Sequence, residues 1–231
     1  MGIRTLHSRT LLSWSSGKDS AWTLHTLRQQ DEYEVVGLLT TINAAFDRVA
    51  MHGTRASVLR AQAAAAGLPL TEVPLPWPCS NEQYEAAMRD VCAAAVRDGI
   101  EAMAFGDLYL EDVRRYRVER LAGTGITPVF PLWGRETHAL VREMLDGGLR
   151  ARIACVDPRK LPASFAGREL DASLLAELPP GTDPCAENGE FHTCAYAGPM
   201  FAQPISLAPG VVEQHGDFVF ADFTVKGSGE R

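Results

Sequence analysis

The stretch Thr10-Leu11-Leu12-Ser13-Trp14-Ser15-Ser16-Gly17-Lys18-Asp19-Ser20 decides the fold. Its first five residues read as a buried strand. Ser15-Ser16-Gly17 breaks that run, and Ser20 to Gln30 then carries Trp22, Leu24 and Leu27 at helical spacing. A Ser/Gly loop between a strand and a helix start presents unpaired backbone N–H groups at the positive end of a helix dipole, and Lys18 adds a full charge. The physics is that of an anion site. A Walker A loop is excluded, because its first Gly falls on Leu12 and its hydroxyl residue on Asp19, and no strand-turn-helix G-x-G-x-x-G occurs. The plain alternative is a turn that caps the helix through Ser15 or Ser16. That alternative leaves Lys18 opposing the dipole, although it is one of only three lysines (with Lys160 and Lys226) in a chain that otherwise uses Arg.

Outward from the loop the alternation continues. Val35 to Thr41 is a second strand, Thr54 to Ala66 a helix closed by Gly67, and Leu70 to Leu75 a third strand before a Pro-rich corner. Ser80 and Gln83 form a capping-box pattern, and the helix they open sets Tyr84, Met88, Val91 and Ala95 on one face before stopping near Gly99. Ile100 to Phe105 is a strand that runs into Gly106-Asp107. Strands separated by helices imply parallel βαβ units, hence an α/β fold with a doubly wound, mostly parallel sheet, whose ligands sit beyond the C-terminal strand ends. Past Trp133 the character changes: a helix over Glu136 to Leu145, a strand over Ala151 to Val156, a helical region at Leu170 to Leu178, the turn-rich Pro179 to Gly189, and an alternating strand at Val219 to Val225. The division expected is a nucleotide-type domain over 1–130, a smaller α+β substrate domain over 131–225, and a disordered tail over 226–231.

With 46% hydrophobic and 22% charged residues over 231 positions, the composition excludes disordered and collagen-like chains. A formal charge of -7 argues against nucleic acid and anionic membrane as main partners. The first fourteen residues are too short of apolar sequence for a signal peptide or a span, so a cytoplasmic location is expected. Five irregularly spaced cysteines (79, 92, 155, 185, 194) read as free thiols. Cys185, His192 and Cys194 match no common zinc spacing. Arg114-Arg115-Tyr116-Arg117, between Glu111-Asp112 and Glu119, reads as a salt-bridged helix face rather than an RNA patch.

Ser15-Ser16-Gly17-Lys18-Asp19-Ser20 resembles the pyrophosphate-binding loop of N-type ATP pyrophosphatases, adenine nucleotide alpha-hydrolase-like enzymes that split ATP into AMP and pyrophosphate. A second segment, Asp183-Pro184-Cys185-Ala186-Glu187-Asn188-Gly189-Glu190-Phe191-His192-Thr193 with Gly198-Pro199-Met200-Phe201, is similar to the C-terminal signature of the diphthine-ammonia ligase family. Met51-His52-Gly53, Gly106-Asp107, Tyr116-Arg117 and Phe130 to Trp133 match segments of its bacterial members in the same order.

The resemblance implies a Rossmann-like fold of the HUP type that binds ATP and Mg²⁺. A substrate carboxylate attacks the α-phosphorus, and ammonia or an amine then displaces AMP. It also implies roles. Lys18 and the loop amides hold the β/γ-phosphates; Ser15, Ser16, Gly17, Ser20, Gly106 and Asp107 surround the nucleotide; and Asp19 faces Mg²⁺. Lys18, Asp19, Glu187 and Glu190 form the catalytic set, with His52, Arg117, Asn188 and His192 toward the substrate. The partners implied are a carboxylate-bearing small molecule or protein side chain, and ammonia or an amine; a homo-oligomer is compatible with the sequence. If Glu187 and Glu190 face one cleft across the Asn188-Gly189 turn, their repulsion raises one pKa toward proton transfer; a solvated hairpin turn is the alternative. The family usually has Gly where this chain has Ala186, a cost of about 1 kcal/mol if φ there is positive. Diphthamide modification belongs to archaeal and eukaryotic translation, so a bacterial origin would turn the chemistry to another carboxylate, for example a small metabolite as in cobalamin salvage. An ATP-binding sensor without turnover is the competing class.

Overall fold

The computed structural model describes residues 7–49 and 53–227, so His52 and the tail beyond Gly227 lie outside the described residues. Strand β1 (Ser8–Ser13) leads to α1 (Lys18–Arg28), β2 (Tyr33–Asn43), the two-residue β3 (Arg48–Val49), α2 (Ala56–Ala66), β4 (Leu70–Leu75), α3 (Asn81–Arg97), β5 (Ala102–Ala104), α4 (Glu111–Leu121) and β6 (Thr127–Val129). The parallel strands lie in the order β4-β2-β1-β5-β6, with β3 antiparallel to the end of β2. From β1 the chain winds first toward β4 and then, on the other side, toward β6. The winding reverses between β1 and β5, so the crevice favoured for ligands in open α/β sheets lies at the ends of these two strands. The Ser15 loop and Gly106-Asp107 meet there, as the sequence predicts.

Local chemistry sets these elements. The Ser80 Oγ accepts from Gln83 N–H at 3.3 Å while the Ser80 N–H donates to Gln83 Oε1 at 2.9 Å, which closes the capping box. Gly67 ends α2 at φ +69°, a left-handed geometry that costs Gly nothing. Leu24 and Leu27 of α1 and Leu59 of α2 pack with Leu12 and Leu38 on one face of the sheet. Cys92 and Ala95 of α3 pack with Leu39, Val73 and Met103 on the other. Helices therefore cover both faces, the arrangement a parallel sheet needs. On α4 only Leu121 is buried, and the helix is laced by Arg115–Asp112 and Arg120–Glu85 pairs.

The remainder forms α5 (Thr137–Asp146), β7 (Arg150–Val156), the short α6 (Ala172–Ala176), β8 (Phe191–Ala197), β9 (Leu207–His215) and β10 (Phe218–Val225). The four strands make an antiparallel sheet in the order β8-β7-β10-β9. Two of them escape the sequence reading. Phe191-His192-Thr193 reads as the end of a motif, yet it starts β8, and Leu207–His215 carries Pro209 and Gly210 and is largely exposed, so it shows no alternation. Ile153, Phe191 and Ala195 of this sheet join Leu12 and Leu24 in one hydrophobic core. The second sheet thus closes over α1 and places β8 against the loop that precedes it. No helix among the described residues is long and apolar enough to cross a membrane.

Candidate active site

The loop after β1 is held by backbone geometry before any ligand is considered. Ser16 adopts φ +73° and is fully buried; its Oγ donates to Thr54 Oγ1 at 2.9 Å. Gly17, not Ser15 or Ser16, is the N-cap of α1, and it offers no side chain to cap the helix. Ser15 Oγ donates to Ser20 Oγ at 3.3 Å, and Ser20 Oγ donates to Gly17 O at 3.0 Å. Among the described residues, Gly17 N–H has no acceptor. A helix mouth of this kind favours an anion.

Lys18 is only 2% exposed. Its N–H donates to Thr193 Oγ1 at 2.9 Å, and its Nζ donates to Asp19 Oδ2 at 2.8 Å and to Cys185 O. Burial pushes the ammonium down, but Asp19, Cys185 and Glu187 more than offset this and hold it above its usual range. Lys18 therefore stays charged. Burial pushes Asp19 up against the pull of Lys18, and Asp19 Oδ1 is buried with no partner among the described residues. The Lys18 head is enclosed by Asp19 and by the chain at Cys185.

Residues 183–190 form the opposite wall. Asp183 accepts from Cys185 N–H (3.2 Å), Glu187 N–H (2.8 Å) and Tyr109 Oη (3.2 Å), so one carboxylate organises the whole loop. Ala186 has φ +58°, the left-handed geometry in which a residue with a Cβ is strained and a glycine is not. Gly189 N–H donates to Ala186 O at 3.0 Å, closing a turn centred on Glu187-Asn188. Across that turn the two glutamates take different partners, and Glu190 is buried rather than solvated. Glu187 Oε1 accepts from Leu108 N–H at 2.8 Å. Glu190 instead folds under its own loop: Oε1 accepts from Asp183 N–H (3.4 Å) and Asn188 Nδ2 (3.3 Å), and Oε2 is buried without a partner among the described residues. Burial pushes Glu187 up to about 7, helped by Asp19 and Asp107 and opposed by the Leu108 N–H and Lys18. His192 is driven down to about 4 by burial and by Lys18, and is neutral at pH 7.

Gly106, at the end of β5, lies where a Cβ would come within 3.0 Å of the Asp19 carbonyl carbon and 3.2 Å of Ser20 N. Gly106 lets the β5 loop pack closely on the first turn of α1, where a Cβ would require the facing backbone to give by a few tenths of an ångström. Gly106→Ala is expected to push α1 and the loop apart and to weaken nucleotide binding at least tenfold by calorimetry, with the far-UV circular dichroism unchanged. Asp107 receives both Arg117 Nε and, at 3.1 Å, Arg117 Nη2, and that guanidinium lies 4.4 Å from the Phe105 ring centroid. Beside them a cavity of about 590 Å³ runs along the ends of β1, β2 and β5, lined by Ser15, Thr40, Thr41, Phe105, Tyr84 and Arg117 among others. Thr40 Oγ1, buried on this wall, has no partner among the described residues. Of the residues expected at the site, Ser15 and Arg117 line this cavity. Lys18, Asp19, Glu187 and Asp107 cluster next to it, while Asn188 is exposed and bonds Tyr109 Oη at 3.0 Å.

Two family models cover most of the chain: the diphthamide synthase N-terminal domain matches residues 8–125, and the diphthamide synthase C-terminal domain matches residues 136–225. The chain belongs to the diphthamide synthase family. It is similar to the curated diphthine–ammonia ligase of Homo sapiens, 28% identical over 149 residues (62% of this chain, 55% of the relative). The Danio rerio protein of the same name is 32% identical over 131 residues (54% and 49%). The chain thus spans about half the length of the curated relatives it matches. Both diphthamide synthase segments contribute to one cluster, Lys18 and Asp107 from the first and Cys185, Glu187 and Thr193 from the second.

Cys185 is a buried thiol pushed up to about 12 by its burial, and so no ready nucleophile; Cys194 is likewise pushed up to about 12. Among the described residues no three His, Cys, Asp or Glu side chains are grouped to hold a metal ion. Sequence reasoning missed Tyr109 and Thr40, and it quoted Asp183 and Thr193 in the second segment without giving either a role. An Asp opening a tight turn is a signal for Asp183; a threonine in mid-strand gives none.

Proposed function

We propose that the chain is an ATP-dependent ligase that forms AMP and pyrophosphate, adenylates a carboxylate and amidates it with ammonia or an amine. The observation that carries this reading is the strand-loop-helix at Ser15 to Ser20, with Ser15 lining a cavity at the ends of β1, β2 and β5 and Gly106 set close against the first turn of α1. Family membership agrees with it. In this reading the adenosine lies in the cavity and the phosphates meet Ser15, Gly17 N–H and Ser20. Lys18 supplies charge from beneath the loop, and Arg117, already fixed by Asp107, faces the nucleotide. Such chemistry asks the protein for positioning and charge stabilisation rather than a covalent nucleophile. Asp19 Oδ1 is the atom suited to Mg²⁺, which takes one or two carboxylates together with phosphates and would neutralise their charge.

Glu187, poised near 7, accepts the proton that an attacking ammonium must lose. Glu190 and Asn188 shape its loop, and neutral His192 adds no charge at the working pH. The test is ³¹P NMR of ATP, Mg²⁺ and ammonium with a panel of carboxylic acids. AMP and pyrophosphate are expected with the matching acid, and accumulation of ADP and phosphate instead would refute cleavage at the α-phosphorus.

A further inference from the structure

We propose that Gln62 of α2 is a positioning residue that fixes the Ser16–Gly17 peptide, and with it the direction of the Gly17 N–H; the inference rests on the nucleotide reading of the loop. Gln62 is fully buried in a helix whose other inward residues are Ala, Val and Leu. An apolar side chain would pack α2 there equally well, so a buried amide needs a reason. Its carbonyl oxygen and both amide hydrogens are partnered, to the loop between β1 and α1 and to β8. Oε1 accepts from Trp14 Nε1 at 2.8 Å, and Nε2 donates to Ser16 O at 3.0 Å and to Ala195 O at 2.6 Å. The amide orientation follows from chemistry, since an indole N–H only donates and the two carbonyls only accept.

Ser16 O receives a second donor, Ala195 N–H of β8, at 2.9 Å. Two donors therefore hold this carbonyl toward α2 and β8, while Ser16 itself sits in the left-handed region that a non-glycine residue resists. In a planar trans peptide the following N–H points the opposite way. Clamping Ser16 O thus turns Gly17 N–H away from Gln62 and Ala195, and it is the N–H that lacks an acceptor among the described residues. Without Gln62 only the Ala195 N–H holds this carbonyl, and the peptide turns more readily about Ser16 ψ and Gly17 φ, which withdraws the donor.

The experiment compares Gln62→Glu, Gln62→Met and Val58→Ala with the parent chain. Gln62→Glu keeps the acceptor for Trp14 and loses the donors; Gln62→Met loses both. Val58 lies fully buried on the same helix but packs with Cys194 and Phe223, so its truncation loosens α2 without touching the loop. Titrating Mg-bound α,β-methylene-ATP at a temperature where circular dichroism shows each variant folded, we expect affinity to fall tenfold or more for both Gln62 variants and twofold or less for Val58→Ala. The Gly17 amide resonance should move in the Gln62 variants before ligand is added. Folded Gln62 variants that bind like the parent would overturn the assignment, and if one fails to fold the other decides. If the parent itself does not bind, the nucleotide reading fails instead. In that event a displaced Gly17 resonance still supports the clamp and an unmoved one overturns it.

Discussion

Glu187→Gln should lower the rate of amide formation by about 10²- to 10⁴-fold, the usual weight of a general base, while nucleotide affinity changes less than threefold. The substitution is nearly isosteric. Gln keeps an Oε1 to accept the Leu108 N–H and loses only the site that takes a proton. The same variant should be more stable than the parent, and the gain should depend on pH. In the folded chain Glu187 is pushed from 4.5 up to about 7, chiefly by burial and then by Asp19 and Asp107. A group that binds its proton more tightly when folded contributes stability below its unfolded pKa, and loses it as pH rises through the folded one. Urea denaturation should therefore find little difference between Glu187→Gln and parent near pH 4.5, a difference that grows toward pH 7, and a plateau above. A variant with normal turnover, or a gain that shrinks with pH, would remove Glu187 from the proposed role.

Lys18→Met should destabilise the fold by about 2–3 kcal/mol. Breaking one partner of a fully buried ion pair costs roughly 3–5 kcal/mol. Here the ammonium is enclosed, but the Asp19 side chain keeps 27% of its surface, so water softens the loss. The damage lies in the charge left behind and in the unmet Cys185 carbonyl. Lys18→Met/Asp19→Asn should then recover more than half of the lost stability, a non-additivity that a double-mutant cycle in urea measures. Simple additivity would show that the pair contributes through solvent-exposed charge alone. Nucleotide binding should fall in both variants, because the double variant restores stability without restoring positive charge.

The contrast between what the sequence reveals and what it hides follows the range of the interactions. Gly67 at a helix end, the Ser80 and Gln83 box, and the strand-loop-helix at Ser15 to Ser20 are local devices, and a doubly wound parallel sheet follows from the alternation of strands and helices. The partners of that loop are not local. Thr193 reaches Lys18 N–H across 175 positions and Cys185 O reaches its ammonium across 167, so no periodicity exposes them. Strand β9 is exposed on both faces and therefore shows no alternation. The two glutamates mislead for a different reason. Asn188-Gly189 is a strong turn signal, but the turn closes one residue earlier, on Ala186 O, and a shift of one residue sends Glu187 and Glu190 to different surroundings. The positive φ of Ala186 shows only in the structure, because an alanine in sequence carries no signal for it.

The most direct test of the central claim is calorimetric titration of Mg-bound α,β-methylene-ATP into the parent chain and into Gly106→Ala, since it needs no knowledge of the acid or the amine. Saturable one-to-one binding to the parent that weakens at least tenfold in Gly106→Ala is the predicted result. No heat from the parent at millimolar nucleotide, or equal binding by both proteins, would contradict a nucleotide site at the mouth of α1.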